Sequence, residues 1–522
     1  MLFTAISLGL VLGTIVYPVF LIIYRLYFHP LSRFPGPKLA AATSWYEAYY
    51  DLAVEPGGQF FLRIKELHQQ YGPVVRINPH EVHVEDSTWL DTLYCGSSHG
   101  IRNKYPPAAH MTGTPNGTFG TLMHSTHRRR RAAISPLFSK GACAASECTI
   151  YDNVDRMLER IDHQIRATGS AEMRKIYLAF TTDTLSEHCF GRSTGLLLDD
   201  QAAVEWQRTI KAVAILTPLA KQFPWVIPLA LKCPLRPLQL IVPDLARIVK
   251  ARRDLNSQAQ EAVKVRSRHS EEPSKKFLKF PNPNRRVDLF DTILSNKSLP
   301  DSEKEDDRMA QEGFVAIVAG GETTGRAMAI ATYHILANRE AVLSRLVKEL
   351  HDAMPEPDAR LPLRDLESLP WLTAVLKESL RMLALVTSRL PLISPDKPLT
   401  YGKWSIPAGI PVSMTLRDVL LDPVVFEQPT SFKPERWLSS NPDLQEIMQN
   451  YVPFGRGSRM CLGMNLALAE LYIAIACLFR RKEFTLHDTT RARDVEIVRD
   501  CFIGEASPAS RGIRIKYAET MG

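Results

Sequence analysis

The sequence predicts a mainly α fold with a minor β-sheet, preceded by an N-terminal helix that crosses a membrane. Three observations carry this. Apolar residues recur at helical spacing from Tyr151 to Ile165, keep that character from Thr182 to Phe190, and form longer stretches over Glu312 to Asn338 and Trp371 to about Leu385. Val74-Val75-Arg76-Ile77 and His83-Val84 are short β-type runs that suit a small sheet beside a helical body. Met1 to Tyr24 carry no charged side chain, and this is about the length that spans a bilayer core as a helix.

Taken in order, residues 1–24 read as an uncleaved anchor. Pro18 would kink such a helix, which membrane helices tolerate. A cleaved signal peptide would place basic residues first and close on a small-residue site; here Arg25, Arg33 and Lys38 follow the apolar run. By the positive-inside rule the rest of the chain stays cytosolic. Residues 25–40 form a basic, proline-rich hinge in which Pro35-Gly36-Pro37 stops the helix and turns the chain. Residues 41–522 form the body. The chain has 522 residues, yet no Gly/Ser-rich linker, repeat or low-complexity tract divides it, and its 45% hydrophobic content can fill a sizeable core.

The net charge of +8 fits an anionic membrane surface or an acidic partner. It does not point to nucleic acid, because no Lys/Arg stripe with interleaved aromatics occurs. The eight cysteines form no C-x-x-C pair and no zinc spacing, and read as reduced thiols in a reducing compartment. Asn116-Gly117-Thr118 and Asn296-Lys297-Ser298 fit the glycosylation sequon, but a cytosolic domain does not meet that machinery.

Within the body, Gln222 to Pro243 is apolar and punctuated by prolines and reads as an irregular core segment. Val263 to Arg286 is polar, basic and broken by Pro273, Pro281 and Pro283, and is expected to be an exposed loop. His127-Arg128-Arg129-Arg130-Arg131 is the densest basic run. On a helix His127 and Arg131 share a face at i,i+4, leaving Arg128 and Arg129 to solvent.

The chemistry concentrates at Cys461. The run Phe454-Gly455-Arg456-Gly457-Ser458-Arg459-Met460-Cys461-Leu462-Gly463 offers one thiolate donor, glycines that let backbone approach a flat ligand, and a cation placed for an anionic group. Thiolate plus anion partner is what a haem requires. Upstream, Ala319-Gly320-Gly321-Glu322-Thr323-Thr324 sets two glycines and an acid inside an apolar helix. Each glycine costs about 1 kcal/mol relative to alanine, which predicts close approach by a ligand or local opening of the helix. Glu378 and Arg381 lie at i,i+3 on one helix face, and Pro434-Glu435-Arg436-Trp437 brings a further arginine.

The Cys461 decapeptide resembles the haem-ligand loop of cytochrome P-450 monooxygenases, Phe-Gly-x-Gly-x-Arg-x-Cys-x-Gly, at all six fixed positions. The Ala319–Thr324 string resembles the oxygen-binding groove of that family, and Glu378, Arg381 and Arg436 its buried structural triad. The resemblance spans roughly Arg25 to the C-terminus and implies one cytochrome P-450 domain over 41–522. It is nearest to fungal microsomal members of the trichodiene oxygenase type. It implies haem b, with Cys461 as the iron ligand, Phe454, Gly455, Arg459 and Gly463 lining the haem, and Glu322 and Thr323 relaying protons for oxygen activation. His127 and Arg131 correspond to an element that bonds a haem propionate, where tryptophan is commoner than His127. Many members carry an arginine where Leu392 follows Pro391; Arg389 is the expected substitute.

The implied activity is a membrane-bound monooxygenase that hydroxylates or epoxidises a lipophilic secondary metabolite, terpenoid or polyketide, with O2. Electrons would come from NADPH through a flavoprotein reductase that docks on the Cys461 side, with Arg128 to Arg130 contributing. The location implied is the endoplasmic reticulum membrane, single-pass, with a cytosolic catalytic domain. A haem-thiolate isomerase or lyase, and a non-catalytic membrane haem-binding protein, are the alternatives. Substrate contacts are expected from Ile101 to Phe119, Leu216 to Ile227, Val315 to Thr324, Leu385 to Ile393 and Ile503 to Pro508, whose apolar character suits a weakly charged ligand.

Overall fold

The computed structural model describes residues 13, 14, 16–271 and 288–518. Helices dominate, as the periodicity predicts. The long helix Asp306–Ala337 runs through the centre and packs against Met173–Phe190, Pro370–Leu383 and Met464–Arg481. Together with Glu147–Thr168 these build one continuous apolar core in which Met309, Met328, Ile335, Leu372 and Ile473 are fully or almost fully buried. Two of these helices end on a glycine stop. Glu147–Thr168 and Met173–Phe190 close on Gly169 and Gly191, both in the left-handed region at φ +80° and +69°.

The principal sheet has five short strands. Val74–Arg76 pairs antiparallel with Val82–Val84, which runs parallel to Pro411–Ser413; Leu392–Ile393 and then Asn103–Lys104 complete the order. A second core of Leu31, Val74, Val82, Leu392, Ile406 and Val412 lies along this sheet. The Pro35-Gly36-Pro37 hinge is fastened to it: Arg76 N donates to Pro35 O at 2.7 Å, and a Cβ on Gly36 would collide with the Arg76 carbonyl.

Three expectations are modified. Among the described residues no single helix is long and apolar enough to cross a membrane; the apolar helix Val16–Phe28 is shorter, and residues 1–12 and 15 of the expected anchor lie outside the described residues. Gln222 to Pro243 is regular, folding as Val226–Lys232 and Leu235–Ile241 with Trp225, Leu229, Leu240 and Ile241 exposed. The exposed loop expected over 263–286 begins later, because the helix Pro243–Glu271 continues to Glu271; residues 272–286 lie outside the described residues.

The Glu378–Arg381–Arg436 triad is formed and fully enclosed. Arg381 binds Glu378 through two hydrogen bonds of 2.8 Å and Arg436 Nε donates to Glu378 at 3.1 Å. Trp437 Nε1 and the Lys433 amide add donors at 2.9 and 3.0 Å. A buried carboxylate is tolerable only when satisfied in this way.

Candidate active site

Cys461 stands immediately before the helix Met464–Arg481, in a loop held by its own backbone. Cys461 N donates to Phe454 O at 2.8 Å, and Ser458 N to Cys95 O at 3.2 Å. Gly455 and Gly457 sit at φ +71° and +74°, and a Cβ on Gly457 would collide with the carbonyls of Tyr94 and Cys95. This fold of the loop leaves Cys461 with accessible side-chain surface, whereas Cys143, Cys189, Cys477 and Cys501 are buried. That surface lies in a recess walled by protein, where desolvation raises the Cys461 thiol pKa, opposed by the Gly463 backbone and Arg131.

Around the loop gathers a group of basic side chains. Arg459 donates to Thr121 O and Leu122 O at 2.9 and 2.8 Å, and Arg131 to Met460 O at 2.7 Å. Lys104, on the strand Asn103–Lys104, donates to Phe119 O at 2.9 Å. Burial, reinforced by Arg459, Arg131, Lys104 and His124, pushes His127 down to about 3, and burial lowers Arg459 to about 10. Among the described residues no Asp or Glu pairs with His127, Arg131, Arg459 or Lys104, and Arg459 Nε and His124 Nδ1 are buried without a partner. Basic groups with no carboxylate beside them among the described residues are costly to enclose, and the cluster fits an external anion. A haem fits the donor set: a thiolate for the iron, and cations and imidazole N–H for its carboxylates.

Arg389 belongs to a different group. It donates to Glu81 at 2.7 and 3.0 Å and to Glu47 at 2.7 Å, and its guanidinium lies over the Phe60 ring. Lys104, one strand away, is the cation beside Arg459. Sequence reasoning passed over Lys104 because a single lysine in a two-residue strand carries no motif.

On the central helix, Thr323 and Glu322 line a cavity of about 150 Å³. The helix is unbroken through Gly320 and Gly321, so the expected local opening does not occur. The two glycines serve helix packing. A Cβ on Gly320 would lie 2.7 Å from Leu185 Cδ2, and one on Gly321 2.7 Å from Thr182 Oγ1, both on the adjacent Met173–Phe190 helix. Thr323 Oγ1 donates to Ala319 O at 2.7 Å. Glu322 is buried and accepts from Arg174 at 2.5 and 3.2 Å. Arg174 also donates to Glu505 at 2.9 and 3.0 Å, and Arg326 donates to Glu505 at 2.8 Å. Two carboxylates and two guanidinium groups therefore balance at one end of the cavity.

A sequence profile of the Cytochrome P450 family matches residues 42–499. The chain belongs to the cytochrome P450 family. Full-length relatives agree. The Cytochrome P450 monooxygenase sdnE of Sordaria araneosa is 38% identical over 96% of both chains. The Tryptophan 6-hydroxylase fscE of Fusarium equiseti is 40% identical over 95% of this chain and 94% of its own. The N-acetyltryptophan 6-hydroxylase ivoC of Emericella nidulans is 37% identical over 98% and 97%. The enzyme is a P450 monooxygenase, and the family implies a haem-iron cofactor.

The P450 cavity draws on four of the five expected stretches, through Met111, Thr217, Val315 and Ile503 among others. Leu385 to Ile393 contributes no wall. It backs the loop that does, with Val386 bridging Ile503 and Thr387 N donating to Phe502 O at 3.2 Å. The helix Pro243–Glu271 supplies a wall that sequence reasoning missed, including Val249 and Arg252. In the basic run of this P450, Arg128 and Arg129 are exposed as expected. Arg130 is drawn inside by Glu303, at 2.6 and 3.1 Å, and is not part of a free docking surface.

Proposed function

We propose that this P450 is a membrane-bound monooxygenase that inserts one atom of O2 into a lipophilic secondary metabolite, with electrons from NADPH delivered by a flavoprotein reductase. The observation that carries the reading is the pairing of an accessible Cys461 beside an uncompensated cation cluster with a largely apolar cavity bordered by Thr323. Haem bound at Cys461 would supply oxygen activation and transfer of one oxygen atom to a C–H or C=C bond. The residues do the rest. Arg459, Arg131, His127 and Lys104 would hold its carboxylates, and Phe454, Gly455 and Gly463 shape the loop. Apolar walls exclude water, and the Thr323 hydroxyl and Glu322 carboxylate move protons.

Terpenoids and polyketides remain the substrate classes suggested by the sequence; the relatives named for tryptophan and N-acetyltryptophan add aromatic amino-acid derivatives. Residues 1–24 are the anchor, 25–40 the hinge and 41–522 the catalytic domain, facing the cytosol from the endoplasmic reticulum. The exposed Trp225, Leu229, Leu240 and Ile241 support contact with the same lipid surface. The test is reconstitution with reductase and NADPH under ¹⁸O2 on a fungal metabolite extract. One labelled oxygen per product molecule is expected; labelled product absent despite thiolate-ligated haem and NADPH supply would reject monooxygenation.

A further inference from the structure

The cavity contains a cation that no carboxylate pairs with among the described residues. Arg252, on Pro243–Glu271, lines it at 4% exposure, with its guanidinium 4.7 Å from the centre of the Phe314 ring. Among the described residues it has no hydrogen-bond acceptor and no ion-pair partner, and its Nε is buried unsatisfied. Burial lowers its pKa to about 10 against the opposing charge of Asp307, so it is cationic at neutral pH. Asp307 is itself engaged by Asn116 at 3.0 Å and Gln311 at 2.6 Å. The other charges on the cavity wall, Glu322 and Glu505, are matched by Arg174 and Arg326.

We infer that the substrate carries a carboxylate, or an equivalent organic anion, that pairs with Arg252 while its apolar remainder reaches toward Thr323; this rests on the monooxygenase reading above. An unpaired guanidinium in an apolar wall is unfavourable by itself and becomes favourable when a carboxylate supplies two parallel hydrogen bonds. Phe314 fixes the guanidinium plane through its ring face. Phe314 and Thr323 are nine residues apart on one helix, about 13 Å along its axis. The anion and the oxidised carbon therefore lie at opposite ends of an elongated molecule. Thr217 on the same wall already donates its hydroxyl to Val213 O at 2.8 Å, and Thr112 shares a 2.6 Å hydrogen bond with Thr114, so the pairing rests on the Arg252 guanidinium. The apolar majority of the cavity, read from sequence as favouring a weakly charged ligand, instead receives the body of a monoanion.

The test uses the haem-loaded enzyme and paired probes: N-acetyltryptophan and a series of ω-phenylalkanoic acids of increasing length, each against its methyl ester. Binding is read from the haem spectrum and by calorimetry. At least one acid is expected to bind about tenfold more tightly than its ester, the usual size of a charge-assisted hydrogen bond. Arg252→Leu should abolish or invert that preference, and Arg252→Lys should keep most of it. If no acid is preferred over its ester, or if Arg252→Leu leaves the preference unchanged, the inference is wrong. A thiolate CO spectrum in each protein separates this failure from failure of the haem reading, which would remove that spectrum throughout.

Discussion

Arg174 Nη2 lies 2.5 Å from Glu322 Oε1 and 2.9 Å from Glu505 Oε1, so one guanidinium ties the acid of the central helix to the antiparallel pair Arg499–Cys501 and Ile503–Glu505. The carboxylate assigned to proton delivery is thus held in place by a charge partner and does not swing freely in the cavity. Thr323, the adjacent hydroxyl, is the group that faces the cavity more openly.

Proton delivery is therefore expected to depend on Thr323 first. Thr323→Ala should still take up haem and consume NADPH with reductase, while product formed per NADPH falls about tenfold, in line with partial loss of general acid–base assistance. Thr324→Ala should do less, because Thr324 is buried and lies outside the cavity wall. Product, peroxide and NADPH measured together check this; equal coupling in wild type and Thr323→Ala would remove the hydroxyl from oxygen activation.

The Arg174 bridge also has a stability signature. Arg174→Ala leaves Glu322 and Glu505 short of a partner and should cost about 3 kcal/mol in denaturant unfolding. Burial alone would raise the Glu505 pKa, but Arg326 and Arg174 outweigh it and hold it at about 2. A depressed carboxylate pKa stabilises the fold above the unfolded value, about 4.3, and that contribution is lost as pH falls toward 2. Glu505→Gln should therefore be less stable than wild type at pH 7, and the gap should narrow below about pH 4. A gap that stays constant between pH 7 and pH 3 would show that the ionised form of Glu505 contributes nothing.

The cation cluster predicts opposite effects on the polypeptide and on haem retention. Lys104→Met removes a buried amino group whose pKa burial and Arg459 push well down, with no carboxylate beside it among the described residues, and should leave the haem-free protein at least as stable as wild type. The same change, and more so Arg459→Leu, should raise the rate of haem loss to apomyoglobin by about tenfold, as expected for a lost charge-assisted contact. If Lys104→Met holds haem as tightly as wild type, Lys104 does not face a haem carboxylate.

How much of this was legible in the chain depended on locality. The Cys461 loop, the Glu322-Thr323 pair and the Glu378–Arg381 face are contiguous or one helical turn apart, so their chemistry could be read directly. Helix periodicity likewise placed Asp306–Ala337 and Pro370–Leu383 to within a few residues at most ends. What escaped was set by tertiary partners. The cost of Gly320 and Gly321 was visible, but its cause, Leu185 and Thr182 on a neighbouring helix, lies more than a hundred residues away in sequence. Arg389 and Arg130 looked free until Glu47, Glu81 and Glu303 were folded against them. Lys104 and Arg252 gain meaning only from the absence of such partners among the described residues, which no local pattern records.

The central claim is that Cys461 is the thiolate ligand of a haem, and the CO spectrum of the reduced protein tests it most directly. Wild type and Cys477→Ser, which alters a buried thiol on the following helix, should both show the red-shifted Soret band of thiolate-ligated haem. Cys461→Ser should lose that band. Retention of the band in Cys461→Ser, or its absence from wild type loaded with haem, would contradict the assignment.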